Sequence, residues 1–484
     1  MTQNKNFRLA KIAGAALLAC AAIGNAQAAA TIVINNINAP GVGFNDATPA
    51  TPVGGNNGTT LGEQRLIAFT YAANIWGATL TSSQPIVINA QFSALSCTAT
   101  SATLGSAGAT SVFRNFDNAP IADTWYSYAL ANKLSGTYLG TPNAAQINAN
   151  FNSNLGQPTC LAGSFFYLGL DANHGTNVDF VTVLLHEMGH GVGFQTFTSG
   201  STGRFQGYAS ATSPGYPSVW DHYLLDNTTN KTWDVMSIPE RQASAIKPNG
   251  LSWTGPRVTA AVPSVLSPAG EVKVYGGNAG AAAGSYAYGD ASFGPALKNP
   301  AVVGNVMPVV DGASGLGLAC TTLTPANATA VRGNIALVDR GTCGFAIKAK
   351  VVQDAGAIGM LVADNAPGDP AGMSGDDPTI VIPSVRISQA AGVTLKAALS
   401  KRTRTSSGVI ASLGVKATGF AGTDSAGRIT MYTPNPLISG SSVSHYNTTA
   451  TPNQLMEPNI NGDLSHSPTL PRDLTFELLK DIGW

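Results

Sequence analysis

Apolar and polar positions follow two different periods along this chain. "LGEQRLIAFTYAANIWGATL" (61–80) has apolar residues at helical spacing and predicts a helix. "PIVINAQFSAL" (85–95) is β-branched and partly alternating, and predicts a strand. "TWYSYALANKL" (124–134) predicts a second helix. "VDFVTVLLHEMGH" (178–190) predicts a third, which Gly189, Gly191 and Gly193 are expected to stop. Residues 29–60 are rich in Asn, Gly, Pro and Thr and predict a loop-like start. After about residue 270 the pattern changes. "GNIALVDRGTCGFAIKAKVVQDAGAIGMLVADN" (333–365) reads as strand, helix, strand, and "TIVIPSVRISQAAGVTLKAAL" (379–399) as strand then helix. This predicts a compact α/β unit, bounded by Gly/Ala near 276–285 and Thr/Ser near 403–407. "PRDLTFELLKDIGW" predicts a short amphipathic helix between Pro471 and Gly483. No tandem repeat is visible.

At 484 residues the chain is long enough for two or three domains, and a hydrophobic content of 44% provides sizeable cores. Only 11% of residues are charged, 26 basic against 26 acidic. This neutral balance, without basic runs, argues against nucleic acid and against electrostatic membrane binding. The polar surface must come from Gly, Asn, Ser and Thr, which suits an exported protein.

The first 28 residues read as an export signal. Lys5, Arg8 and Lys11 precede the apolar "IAGAALLACAAIG", and Ala26–Ala28 form a small-residue cleavage site, so the mature chain is expected to start at Ala29. Secretion or a periplasmic location follows. The alternative is a lipid anchor at Cys20, because "LLAC" loosely resembles a lipobox, although Leu18 fits it poorly. No later stretch is long and apolar enough to act as a transmembrane anchor. Of five cysteines, Cys97, Cys160, Cys320 and Cys343 lie beyond the signal. An even number in an exported chain favours disulfides, and Cys97–Cys160 with Cys320–Cys343 keeps each pair within one domain.

"LLHEMGHGVGFQTFTSG" (184–200) carries the chemistry. His186 and His190 are separated by one helical turn, so both can face one ion. Glu187 lies beside them, placed to take a proton from a zinc-bound water. Zinc lowers that water's pKa towards about 7 and polarises a scissile carbonyl, which makes the expected reaction metal-assisted amide hydrolysis. A catalytic zinc takes three protein ligands. Where the extended form of this motif has a third histidine, this chain has Thr196. Candidates for the third ligand are His174, His222, Glu240, His445 and His466. A calcium site has no support, since no Asp-x-Asp-x-Asp-Gly pattern occurs.

"GSSVSHYNTTATPNQLMEP" followed by "SPTLPRDLTFELLKDIGW" resembles the C-terminal part of the leishmanolysin-like zinc metalloproteases, which are metzincins. "TWYSYALANKL", "FYLGLDANHG" and "WDVMSIPERQA" also look like this family. The resemblance covers about 29–270 and 425–484. It implies that His445 is the third ligand of one catalytic zinc, after a long insertion, and that Met456 is the methionine of a Met-turn beneath the metal. The inserted unit resembles a protease-associated (PA) domain, a non-catalytic module; it is expected to overhang the cleft and restrict large substrates.

The expected organisation is a signal peptide at 1–28, a first metalloprotease part at 29–275, a PA domain at 283–405, and a C-terminal metalloprotease part at 425–484. The expected fold is α+β, a metzincin-type zinc protease interrupted by an α/β PA domain. The expected function is an exported zinc endopeptidase acting on proteins or peptides, with Glu187 as general base. The competing reading is a binding or adhesion protein on a catalytically weak protease scaffold, using the PA domain for protein interaction.

Overall fold

The computed structural model describes residues 29–311 and 316–484. The expected export signal and Cys20 lie outside the described residues.

The N-terminal part is built from β1 (Ile32–Asn36), α1 (Leu61–Thr79), β2 (Ile86–Ser93), β3 (Gly105–Ala109), α2 (Tyr128–Ser135), β4 (Ile147–Asn152) and α3 (Phe180–Val192). The four strands form one sheet in the order β1-β2-β4-β3. β1, β2 and β4 run parallel, and β3 is the antiparallel edge. Helix α1 starts at a capping box in which the Thr60 hydroxyl accepts from Glu63 N–H and the Glu63 carboxylate accepts from Thr60 N–H. Its buried stripe of Ala68, Phe69, Ala72, Ala73 and Trp76 covers the sheet. The Trp76 indole donates to the Leu185 carbonyl at 3.0 Å, which ties α1 to α3. Every residue of α3 is buried, and Asp179 caps its N-terminus by accepting from Val181 N–H at 3.0 Å. Rings of Phe69, Phe92, Phe151 and Phe180 form the aromatic centre between helices and sheet.

Three sequence expectations change here. Residues 29–60, read as a loop-like start, contain strand β1, whose β-branched residues pair with β2. The predicted helix at 124–134 starts only at Tyr128, because Tyr126–Ser127 pair with Val112–Phe113 as a short ladder. Gly189 and Gly191 do not stop α3. Both lie inside it, and the turn comes at Gly193, whose φ is 129°. The interior glycines serve close packing. A first side-chain carbon would lie 2.7 Å from Met456 Sδ at Gly189 and 2.5 Å from Ile147 Cγ2 at Gly191.

After α4 (Ile238–Ala245) and α5 (Pro256–Val265) the chain enters a second unit. It comprises β5 (Pro268–Tyr275), β6 (Gly284–Tyr286), β7 (Tyr288–Asp290), β8 (Val302–Pro308), α6 (Pro325–Val331), β9 (Ile335–Asp339), α7 (Phe345–Asp354), β10 (Gly359–Ala363), β11 (Ser384–Ile387), α8 (Gln389–Ala398) and β12 (Ile410–Phe420). The eight strands form one sheet in the order β6-β5-β12-β8-β9-β10-β11-β7, with β8 to β11 parallel. The unit has its own apolar clusters, around Val306, Leu337 and Leu361 on one side and Val338, Met360 and Val362 on the other. The sheet begins at Pro268 and ends at Phe420, outside the expected limits of 283 and 405. The Gly/Ala-rich stretch read as a boundary is the connection between β5 and β6. Those outer strands, β5 and β12, pair with each other across the whole insertion. At their base Ala421 N–H donates to Ser267 O at 2.9 Å, and Ser267 N–H to Thr451 O at 2.7 Å. The chain therefore leaves and re-enters the first part at one place.

The architecture is α+β. Helix α9 (Thr475–Ile482) closes the first part, where the Asp481 carboxylate accepts from the Trp253 indole at 3.1 Å and from Arg257 N–H at 2.9 Å. Disulfides link Cys97 to Cys160 and Cys320 to Cys343. No helix among the described residues is long and apolar enough to cross a membrane.

Candidate metal centre

Helix α3 presents His186 and His190 on one face, and the loop after β12 brings His445 against them. The Nε2 atoms lie 3.2 Å (His186–His190), 3.1 Å (His190–His445) and 3.2 Å (His445–His186) apart, although 255 positions separate His190 from His445. All three rings are buried. Each Nδ1 faces a backbone carbonyl: Leu455 O for His186 at 2.7 Å, Phe194 O for His190 at 2.8 Å, and Ser441 O for His445 at 2.8 Å. A carbonyl can only accept, so each Nδ1 carries the proton and donates it. Burial pushes His186 down to about 4 and His190 down to about 3, the latter helped by the neighbouring His186. Burial, with the two other rings, also holds His445 well below the usual histidine range. The rings are therefore neutral, and three Nε2 lone pairs point at one another with no proton between them.

That arrangement is repulsive unless a cation lies between the rings. Ligands of a tetrahedral zinc at roughly 2.0–2.1 Å lie about 3.3 Å apart, close to the observed separations. Carbonyl partners on the far nitrogens are also the usual way a metal-binding histidine is fixed. The residues present fit a zinc ion. Among the described residues, His186, His190 and His445 are the one group of three or more His, Cys, Asp or Glu side chains arranged to hold a metal.

The other candidates are engaged elsewhere. Glu240 caps α4 by accepting from Ser237 N–H at 2.7 Å and pairs with Lys231 at 2.7 Å. His222 bridges Asp234 at 2.9 Å and the Thr124 hydroxyl at 3.0 Å, on a short 3-10 turn. His466 bonds Asp179 at 2.6 Å. His174 contacts the Asn177 carbonyl at 2.8 Å and lies at the cleft wall.

Glu187 follows His186 and is buried beneath the edge strand β3. Burial pushes its carboxyl up to about 8, and a bond from the Ala107 N–H pulls it back. Gly105 of the same strand leaves room for it, since a side chain there would start 3.0 Å from Glu187 Oε1. Met456 is wholly buried and rests on Gly189, between the two helix histidines.

These groups open into a cleft of about 1140 Å³. Strand β3 forms one wall, and the loops at 437–445 and 458–464 form the other. None of the described residues of 267–421 lines it. Among the described residues its lining includes no Lys or Arg, and besides Glu187 the only carboxylate is Asp179. Asp179 accepts from His466, Val181 N–H and Thr182 N–H.

Sequence reasoning did not single out Asp221 or Asp473. Asp221 accepts from the Thr196 hydroxyl at 2.7 Å and the Thr198 hydroxyl at 2.6 Å. Asp473 accepts from Leu455 N–H at 2.6 Å, on the peptide segment whose carbonyl faces His186. An acidic residue in so lightly charged a chain was the only available signal for either.

Residues 302–395 match the PA domain family, so the chain contains a PA domain. No curated protein matches the chain. Among solved structures it is similar to an aminopeptidase from Aneurinibacillus sp. strain AM-1, with 18% identity, coverage of 34% of this chain and 37% of that one, and a TM-score of 0.24. It is also similar to a zinc aminopeptidase from Bacillus subtilis, with 18% identity, coverage of 33% and 36%, and a TM-score of 0.21. A psychrophilic subtilisin-like protease from the Antarctic psychrotroph Pseudoalteromonas sp. AS-11 shows 21% identity, coverage of 31% and 33%, and a TM-score of 0.21. The chain thus spans about a third of the length of each of these structures.

Proposed function

We propose that this protein is an exported zinc-dependent endopeptidase of metzincin type. The observation that carries the reading is the convergence of three buried, neutral imidazoles whose Nδ1 protons are all held by carbonyls. His186, His190 and His445 would hold the ion through Nε2. A bound zinc supplies Lewis acidity and lowers the pKa of a coordinated water to about 7. The ionised Glu187 carboxylate, which the positive charge of a bound zinc would favour, would accept the proton of the attacking water and deliver it to the leaving amine. Strand β3 is paired on one side only and faces the cleft on the other, so its unpaired edge can align an extended peptide as an added strand, with the Ala107 N–H kept by Glu187. Met456 supports the helix from below as the Met-turn residue. The PA domain is a module carried beside the catalytic part. Two disulfides agree with an oxidising compartment.

The test is cleavage of casein and of short internal peptides with and without a chelator, with Glu187→Ala as control. The reading expects chelator-sensitive cleavage that zinc restores and that Glu187→Ala lacks. Bound zinc without any cleavage would instead favour a binding role on a protease scaffold.

A further inference from the structure

Thr196 stands where the extended motif has a histidine, and it points at something other than the metal. Beyond the turn at Gly193, the Phe194 carbonyl accepts from His190 Nδ1, and the Phe194 ring packs on Trp220 and Tyr446 with centroids 4.8 and 5.0 Å away. Two residues on, the Thr196 hydroxyl donates to Asp221 Oδ1 at 2.7 Å and accepts from Thr198 N–H at 3.0 Å. A single hydroxyl oxygen does both. Asp221 Oδ2 accepts from the Thr198 hydroxyl at 2.6 Å and from Ser218 through its N–H at 2.7 Å and its hydroxyl at 2.9 Å. Asp221 is 0% exposed, so these four donors take the place of water around its carboxylate. The Thr196 N–H then donates to Ser444 Oγ at 3.2 Å, immediately before His445. One short loop therefore carries both the carbonyl that orients His190 and the amide that fixes the residue beside His445.

We propose that Thr196 and Asp221 are positioning residues for the metal centre: their buried knot sets the loop that brings the distant His445 into register with His190. The inference rests on the zinc reading above. Its chemical sense is that a ligand supplied from far along the chain needs a local fixture where a nearby ligand would have stood. Partners that orient metal ligands typically change affinity by about 10–100-fold when lost.

The experiment measures zinc affinity by competition with a chromophoric chelator, and the visible spectrum of the cobalt(II) form, on the full chain. Thr196→Val is expected to weaken zinc about 10–100-fold and to shift the cobalt bands, while Thr196→Ser keeps both near wild type. Ser444→Ala removes the other end of the link without touching Asp221, and is expected to weaken zinc in the same direction. Wild-type affinity and an unchanged cobalt spectrum in Thr196→Val overturn the proposal, as does a Thr196→Ser variant equally impaired. If Thr196→Val does not fold, Ser444→Ala decides, and unchanged affinity there overturns it. A wild-type chain that binds no zinc removes the metal reading and this inference together. Wild-type binding with an unaffected Thr196→Val removes the inference alone.

Discussion

Met456 Sδ lies 2.7 Å from the point where a side chain on Gly189 would place its first carbon. The sulfur therefore rests on the backbone of α3 between His186 and His190. A glycine inside a helix costs roughly 1 kcal/mol relative to alanine, and here the close approach requires it. Gly189→Ala should lower stability by about 1–3 kcal/mol through overpacking and weaken zinc binding, because the helix and the methionine must separate. Adding Met456→Ala should recover part of the loss, giving a non-additive double-mutant cycle in thermal unfolding. Additive losses would show that the two residues do not press on each other.

Glu187→Gln should reduce kcat/KM by about 100-fold or more while leaving zinc bound, since the three imidazoles are untouched. Metal analysis beside peptide kinetics checks this. A variant that loses its zinc would place Glu187 among the groups that hold the site rather than among those that move protons.

Among the described residues the cleft has no Lys or Arg, and its carboxylates are already engaged. A charged substrate side chain entering it loses hydration without gaining a counter-charge. Peptides with Lys or Asp next to the scissile bond should be cleaved about tenfold or more slowly than those with Ala or Ser. A series varied at one position measures kcat/KM, and a preference for either charge contradicts the expectation.

Glu457, next to Met456, gives a pH signature of its own. It is wholly buried, and burial pushes its carboxyl up to about 8 from 4.5, while Gln454 N–H pulls it back. A raised folded pKa means that the folded state binds the proton more tightly. Its contribution is therefore fully present below about pH 4.5 and is lost as pH rises to about 8, at roughly 1.4 kcal/mol per pH unit. Glu457→Gln should flatten denaturant stability across that window. An equally steep decline in the variant would assign the effect to other groups.

The inserted unit joins at Ser267 and Ala421, which are hydrogen-bonded at 2.9 Å. Replacing 268–420 with a short linker should leave short-peptide kcat/KM within about threefold, because neighbouring ends tolerate such exchanges. Loss of metal binding would show that the domain supports the site.

Helices α1 and α3 and strand β2 were legible because their signals are local. The apolar spacing of α1 read directly as a helix, and the i, i+4 pair His186 and His190 read directly as two facing imidazoles, whereas β1, β3 and β4 gave no comparable signal. What escaped is set by residues far apart in the chain. Gly189 and Gly191 read as helix breakers because nothing local reveals that Met456 and Ile147 press against them. The limits of the inserted sheet were misread because β5 and β12 are defined by each other, on opposite sides of the insertion. The Asp221 knot and the Leu455 carbonyl on His186 are likewise tertiary. Residue identity alone could not show that the acid of a "VWDHY" turn is wholly buried under threonine hydroxyls.

The most direct test of the central claim is the zinc content of the purified full chain and of its His445→Ala variant, by mass spectrometry of the metal after dialysis. The account predicts about one zinc per wild-type chain, as expected for a three-ligand catalytic site, and near-complete loss in His445→Ala. Zinc retained by His445→Ala but lost from Glu240→Ala, or none in the wild type, would contradict it.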